Sequence, residues 1–313
     1  MPGLAGGAPW LADDSLTFVA AYEDGWAWSV AGAPSERHVT AMIDPQRTGI
    51  LRGAAARQVY LEELAKIQPF GPLLAGATLV RGPWGADASV YSAERYSGRG
   101  FLLIGDAGSF IDPLSSFGVK KALASAWLGA IAAHTILTRP AMADEALRFF
   151  DRREHAVYDS ARRHAADFAR RAASATDHPF WLARASAEGG ADPEDGVDTT
   201  ALSRDPGVMR AFDDLRRRAS VRFRTGAGAR FEPRAAVRGR EIVMEDHLVL
   251  PAWPDGLRYI RGVDVVSLVR LAPAHTDVGE LVEVFVRAHG PLALPDVLGT
   301  LATVVAKGAL EYD

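Results

Sequence analysis

The chain has 313 residues, 48% of them hydrophobic and 24% charged, with a formal net charge of −4. That composition is ordinary for a globular protein of one large or two moderate domains. There is no cysteine, which excludes disulfides, thiolate metal sites and cysteine nucleophiles. Positive charge is almost all arginine, the lysines being Lys66, Lys120, Lys121 and Lys307. In a mildly acidic whole this predicts no nucleic-acid partner. The apolar stretch 122–137 contains His134 and is too short and too rich in small residues for a membrane span. No basic-apolar-small leader opens the chain, so the expectation is a cytoplasmic enzyme.

In chain order, Ser15–Tyr22 alternates weakly and predicts a strand. Glu23-Asp24-Gly25 is a turn, and Trp26–Val30 a second strand with both indoles on one face. Arg37–Ile43 is a third, completing an antiparallel meander. Sheet packing alone accounts for Trp26 and Trp28, since large aromatics favour strands; a substrate-facing role is the alternative. Ala54–Ile67 reads as an amphipathic helix with Val59, Leu61, Leu64 and Ile67 towards the core. Leu73–Val80 and Ala88–Tyr96 read as strands, with Glu94 and Arg95 as a surface pair. Gly98-Arg99-Gly100 is a short turn.

Next comes the most informative stretch, Phe101-Leu-Leu-Ile-Gly105-Asp106-Ala107-Gly108-Ser109-Phe110-Ile-Asp112-Pro113-Leu-Ser115-Ser116-Phe117-Gly118. Phe101–Ile104 reads as a buried strand ending at Gly105-Asp106. A loop follows, then an Ala- and Leu-rich helix over Val119–Leu137, stopped near Pro140. Strand, Gly-Asp, loop and helix is how α/β folds put a polar ligand beside a strand end. Asp106 can accept hydrogen bonds from sugar or ribitol hydroxyls. The N–H groups around Phe117, Gly118 and Val119 open a helix whose positive end suits an anion or an electron-rich carbonyl. Lys120 and Lys121 oppose that dipole. A surface position explains one; the other is left to face an anionic group.

Met142–Ala173 predicts one or two helices, with Leu147, Phe150, Tyr158, Ala161, Ala165 and Phe168 at helical spacing and an arginine-rich outer face. His155 and His164 there read as solvated or capping residues, and no HExxH spacing occurs. His178-Pro179-Phe180-Trp181 is either an aromatic anchor or a cover over a site. Residues 187–206 are rich in Gly, Asp and Pro, with Gly189–Gly196 the clearest linker. A helix over Val208–Ala219 and a strand over Glu241–Leu250 follow. Val265–Leu271, Val278–His289 and Leu294–Ala306 predict three short helices, the second capped at Thr276-Asp277. Gly308 ends the third, and a short extended piece closes the chain.

The string Gly105–Gly118 closely resembles the second flavin-contact motif of flavin-dependent halogenases and related FAD-dependent monooxygenases, GDAxGFIDPLxSxG. Trp26-Ala-Trp28-Ser-Val30-Ala31 resembles the halogenase WxWxIP pattern, with Val-Ala in place of Ile-Pro. The resemblance implies an α/β (α+β) fold, the second half of a halogenase- or hydroxylase-type FAD-dependent oxidoreductase: an antiparallel substrate sheet plus a flavin-contacting strand-loop-helix. It makes FAD the cofactor, with Asp106 holding its ribitol and Gly105, Ala107, Pro113, Ser115, Ser116, Phe117 and Gly118 around the flavin. Trp26 and Trp28 would face a small aromatic substrate. The implied chemistry is activation of oxygen at flavin C4a and transfer of an oxidising equivalent. The absence of an NAD(P)H site implies a separate flavin reductase. Relatives carry their catalytic lysine in the N-terminal half, so neither Lys120 nor Lys121 inherits that role. Phe117 stands where halogenases place a small hydroxyl residue beside chloride, which favours hydroxylation or dehydrogenation over halogenation.

The family's strand-GxGxxG-helix has no counterpart here. Gly3-Leu-Ala-Gly6-Gly7 follows no strand, and Gly226-Ala-Gly228 lies in an arginine-rich, non-periodic region. The expectation is an N-terminally truncated chain; a dinucleotide-binding half on another chain is the alternative. The domain reading is a partial FAD and substrate domain over 1–186, a linker over 187–207 and a helical module over 208–313. The last resembles the winged-helix-like module of the peptide chaperone of PQQ synthesis, and its third helix lacks a basic base-reading face. Two other readings stay open: an isoprenoid-type flavin reductase, and a non-enzymatic binding or docking subunit.

Overall fold

The computed structural model describes residues 16–33, 35–48, 50, 55–186, 199–218 and 220–313. The glycines at 3–7 and the linker core at 189–196 lie outside them. The described residues form two compact units. The first gathers residues up to Ala93, Gly105–Lys121 and those from Tyr158 to Ser186; the second gathers Glu94–Ile104, Ala122–Val157 and those from Thr199 onward. The fold is mixed α and β, and among the described residues every strand pairing is antiparallel. The α+β side of the expectation is therefore the one seen.

The meander forms as the alternation predicts. Strands β1 (Phe18–Tyr22), β2 (Gly25–Ala31) and β3 (Arg37–Ile43) lie in sequential order, with Trp28 opposite Val19 on one side and Thr40 on the other. Helix α1 (Ala56–Lys66) buries Val59 and Leu64, and Ile67 just beyond it, whereas Leu61 is exposed. Glu63 is buried instead. Its carboxylate accepts from the Tyr22 hydroxyl at 2.9 Å and from Lys66 Nζ at 2.7 Å, which offsets its desolvation. Burial and then the Glu63 carboxylate push the Tyr22 phenol well above its usual range.

One predicted strand is not there and another is cut short. Leu73 and Leu74 sit in the helical turn α2 (Gly71–Leu74), and residues 75–80 have no strand. Of 88–96 only β4 (Tyr91–Ser92) pairs. Gly76 and Gly82, both at positive φ, turn the chain out of extended geometry. The buried strand expected over Phe101–Ile104 also shrinks. β5 (Ser97–Gly98) and β6 (Phe101–Leu102) make a small hairpin, and Phe101 is exposed, its ring folded over Gly98. After β7 (Ser109–Phe110) comes α3 (Gly118–Thr138), then the single helix α4 (Ala143–Ala173). Gly129 lets Ile104 approach α3, since a β-carbon there would come within 2.4 Å of Ile104 Cδ1. In α4, Phe150 and Ala161 are buried as expected but Phe168 is exposed. His155 packs edge-on to Tyr96 at 4.7 Å. Helix α5 (Pro179–Ala185) follows.

The linker reading is corrected at its end. Residues 199–204 form α6 (Thr199–Arg204), and Asp205 caps α7 (Pro206–Arg217) by accepting from Gly207 N at 2.7 Å. The C-terminal stretch is not purely helical. It holds β8 (Phe223–Thr225), β9 (Arg230–Arg238), β10 (Glu241–Leu250), β11 (Trp253–Leu257), β12 (Tyr259–Ile260) and β13 (Val263–Asp264). Helices α8 (Val265–Leu271), α9 (Val278–His289) and α10 (Leu294–Ala306) stand at the predicted bounds, and β14 (Leu310–Tyr312) pairs back with β8. Asp277 caps α9 by accepting from Glu280 N at 2.7 Å. Leu248, Val263, Leu268, Leu281, Phe285 and Leu301 are buried together in this unit's core. No helix of the described residues is long and apolar enough to cross a membrane.

Asp205 also accepts from Lys307 Nζ at 2.6 Å. That bond first, and the Gly207 amide second, hold its carboxyl below the usual range. The Tyr312 hydroxyl, at 2.6 Å, does the same for Asp214. With folded values depressed, the unfolded chain binds more protons. The stabilisation is complete above the ordinary carboxylate range and fades as pH falls through the folded values. Asp205→Asn is expected to flatten the acid limb of stability against pH, read by urea melts across that limb; an unchanged limb would rule the linkage out.

Candidate functional site

The Gly105–Gly118 stretch lies whole within the first unit. Gly105–Ala107 form one 3₁₀ turn, and Gly108 N closes it onto Gly105 O at 3.1 Å. β4 holds the far side, with Tyr91 opposite Phe110 and Ala93 N donating to Gly108 O at 2.8 Å. The Tyr91 hydroxyl donates to the Asp106 carbonyl, and the Tyr91 ring stacks on Phe110. The Asp106 side chain is thus carried on a fixed backbone, and it is 60% exposed.

Pro113–Ser115 form a second 3₁₀ turn. Asp112 caps it, accepting from Leu114 N at 2.9 Å, and Ser115 Oγ donates to Asp112 O at 2.9 Å. Ser116 then adopts the left-handed conformation at φ 55°, a rare geometry for a residue with a β-carbon. It turns the chain into α3. The first helical bond runs from Lys121 N to Phe117 O at 2.8 Å, so the N–H groups of Gly118, Val119 and Lys120 have no acceptor inside the helix. The space beside Gly118 is open, with nothing within 4 Å of where a β-carbon would stand. Phe117 is exposed, with the Lys120 ammonium 5.4 Å from its ring centre and the His164 ring at 6.5 Å.

The two tryptophans arrive beside this turn from β2. Their rings stack at 5.0 Å, on one face as the alternation predicts. They differ in depth: Trp26 is buried with Ala169, Phe180 and Trp181, while Trp28 is half-buried at the edge of that cluster, where Leu114 also packs. His178–Trp181 is an anchor. Phe180 and Trp181 are each 1% exposed, and Trp181 Nε1 donates to Tyr22 O at 2.8 Å.

The structure therefore brings Asp106, the Pro113–Ser115 turn, the open start of α3 and Trp28 into one unit. Exposed carboxylate, unpaired helix N–H groups and an unfilled glycine flank form a donor and acceptor set that fits a ligand bearing hydroxyls and an electron-rich carbonyl. Sequence reasoning missed three supporting residues. Asp112 signalled itself only as a residue before proline. Arg184, 3.8 Å from Asp112 and stacked 3.7 Å over Phe180, gave no signal. Of Lys120 and Lys121, read as one surface lysine and one left to face an anionic group, Lys121 is the buried one, and no signal told which. Among the described residues no group of three His, Asp or Glu side chains is placed to hold a metal.

No family model matches the chain. It is 32% identical over 165 residues to the flavin-dependent halogenase armH4 of Armillaria mellea, covering 46% of this chain and 30% of that protein. It is 30% identical over 130 residues to the tryptophan 2-halogenase of Chondromyces crocatus, covering 41% and 25%. The matched stretches span less than a third of these relatives' length. Among solved structures it matches CmlS, a flavin-dependent halogenase, with a TM-score of 0.65 at 22% identity, over 95% of this chain and 60% of that one. It matches the peptidyl tryptophan dihydroxylase QhpG with a TM-score of 0.58 at 19% identity, over 93% and 60%. The resemblance read from Gly105–Gly118 is borne out: the chain is similar in sequence to flavin-dependent halogenases and similar in fold to a solved one.

Proposed function

We propose that this chain is the flavin-contacting and substrate-binding part of an FAD-dependent oxidoreductase of the halogenase-like class. The observation that carries this is the exposed Asp106 carboxylate on a pinned loop beside the open N-terminus of α3. Asp106 would accept hydrogen bonds from the ribitol. The amides of Gly118 and Val119 would face an electron-rich carbonyl of the ring system. Gly105, Ala107, Pro113, Ser115 and Ser116 would supply the backbone against which the flavin lies. FAD, once bound and reduced by a separate flavin reductase, would supply oxygen activation. The chain's own residues orient it and shape the substrate side, where the half-buried Trp28 offers an aromatic face to a small aromatic substrate and Trp26 backs it.

Flavin fluorescence quenching in the natural protein carrying this sequence tests the reading. Tight FAD binding is expected, with Asp106→Ala weakening it at least tenfold, about 1.4 kcal/mol. No flavin binding by the parent would overturn the flavoprotein reading, and equal binding by the variant would overturn the role of Asp106.

Phe117 favours oxygenation or dehydrogenation over halogenation. By the halogenase resemblance a small hydroxyl residue beside chloride would stand at its position; here a phenyl ring does, with the Lys120 ammonium 5.4 Å from its centre. Product formation independent of chloride is the expected result; a chlorinated product that requires chloride would reverse it.

A further inference from the structure

Lys121 is buried in the first turn of α3, with only 4% of its surface exposed. Two costs fall on it. Its charge opposes the positive end of the helix, and its ammonium has left water. The Gly105–Ser109 loop receives the ammonium on both of its ends. Lys121 Nζ donates to Gly105 O at 2.9 Å and to Ser109 O, and lies 3.9 Å from Asp106 Oδ1. The two carbonyls bracket the residue whose carboxylate points outward. Ser109 Oγ, buried in the same loop, has no partner among the described residues, so the hydroxyl does not share in fixing it.

We propose that Lys121 is the positioning residue of the flavin loop: its buried ammonium ties the two ends of Gly105–Ser109 to α3 and so sets where Asp106 presents its carboxylate. This rests on the reading of Asp106 as the ribitol-binding residue. Lys121 itself touches no ligand in this scheme. It acts through the backbone on either side of Asp106.

The two bonds to the loop give the proposal its test. An apolar side chain of similar length removes both bonds to the loop while keeping the bulk of the side chain. Lys121→Met in the natural protein is expected to loosen the loop. Amide exchange at Gly108 and Ala93, whose N–H groups close the loop, should quicken about tenfold in the flavin-free protein, and FAD affinity should fall about tenfold. In the Asp106→Ala background the same substitution should change FAD affinity little, because its effect runs through Asp106. Unchanged exchange and unchanged affinity in Lys121→Met would overturn the proposal, as would an undiminished effect in the double variant. Should Lys121→Met not fold, Lys121→Gln, which keeps a donor for one carbonyl, carries the same readouts. A parent that binds no FAD defeats the flavoprotein reading itself, and the exchange rates then still decide whether Lys121 holds the loop.

Discussion

Gly226→Ala is expected to destabilise the second unit by about 3 kcal/mol or more, the larger part of it from a clash with backbone that has nowhere to go. A β-carbon at Gly226 would stand 2.0 Å from the Gly308 carbonyl oxygen and 3.0 Å from its carbon. The backbone flanking both glycines is fixed. Gly226 N donates to Ala309 O at 2.9 Å, Ala229 N closes the turn onto Gly226 O at 3.0 Å, and Ala309 N bonds back to Val304 O at 2.8 Å. Moving either strand costs the β8–β14 pairing, Leu310 to Thr225 through Tyr312 to Phe223, and the edge-on contact of the Phe223 and Tyr312 rings. A whole domain commonly holds only about 5–15 kcal/mol, so the loss is a large share. Urea denaturation followed by near-ultraviolet dichroism measures it. Gly239→Ala is the control: its φ is positive, at 61°, but the space around it is open, and the substitution should cost only about 1 kcal/mol. If Gly226→Ala melts with the parent, the close approach is not as drawn.

That same corner shows what the sequence carried and what it hid. Helices α8, α9 and α10 were legible to the residue because apolar side chains recur at three- and four-residue spacing between a capping Asp277 and a terminating Gly308. β9 was not. Its inward Ala235 and Val237 are small or only partly buried, while its outward arginines and glutamates pair across and along the sheet, as Arg238 does with Glu245. Those charges erase the alternation on which strand reading depends. The same limit governed the site. Gly105–Gly118 could be read because glycine, aspartate and proline mark backbone geometry locally. Lys121 could not, because its burial is satisfied by carbonyls 16 and 12 residues earlier in the chain. Glu63 and Leu61 exchanged their expected places for a similar reason: the partner that makes Glu63 burial tolerable, Tyr22, lies on another element. Alternation put Trp26 and Trp28 on one face, but the depth of each depends on α5, 150 residues away, which only the fold brings there.

Trp181→Ala should cost the first unit about 3–5 kcal/mol, the range for emptying a buried aromatic site. Trp181 is held from several directions. His178 caps α5 with Nδ1 accepting from Phe180 N at 3.3 Å, which leaves the proton on Nε2, 2.9 Å from Asp24 Oδ1. Asp24 is shared with Lys66 at 2.6 Å, so the β1–β2 turn and α1 are tied to the same helix start. Phe180 packs edge-on to Trp181 at 5.0 Å, and the Trp181 indole reaches the Tyr22 carbonyl. Trp181→Phe keeps most of the volume and loses that hydrogen bond, and should cost about 1–3 kcal/mol. Leu114 packs on the cluster that Trp181 fills, so the alanine variant should also loosen the Pro113–Ser115 turn. FAD affinity should then fall together with stability, and the phenylalanine variant should recover most of both. The opposite pattern, an unchanged denaturation midpoint with a raised KM for substrate, would mean that the aromatic segment covers the substrate and does not anchor the fold. Its 1% exposure in a cluster that includes Trp26 is the reason to expect the first: a residue with no free face must be paid for in stability before it can be felt by a substrate.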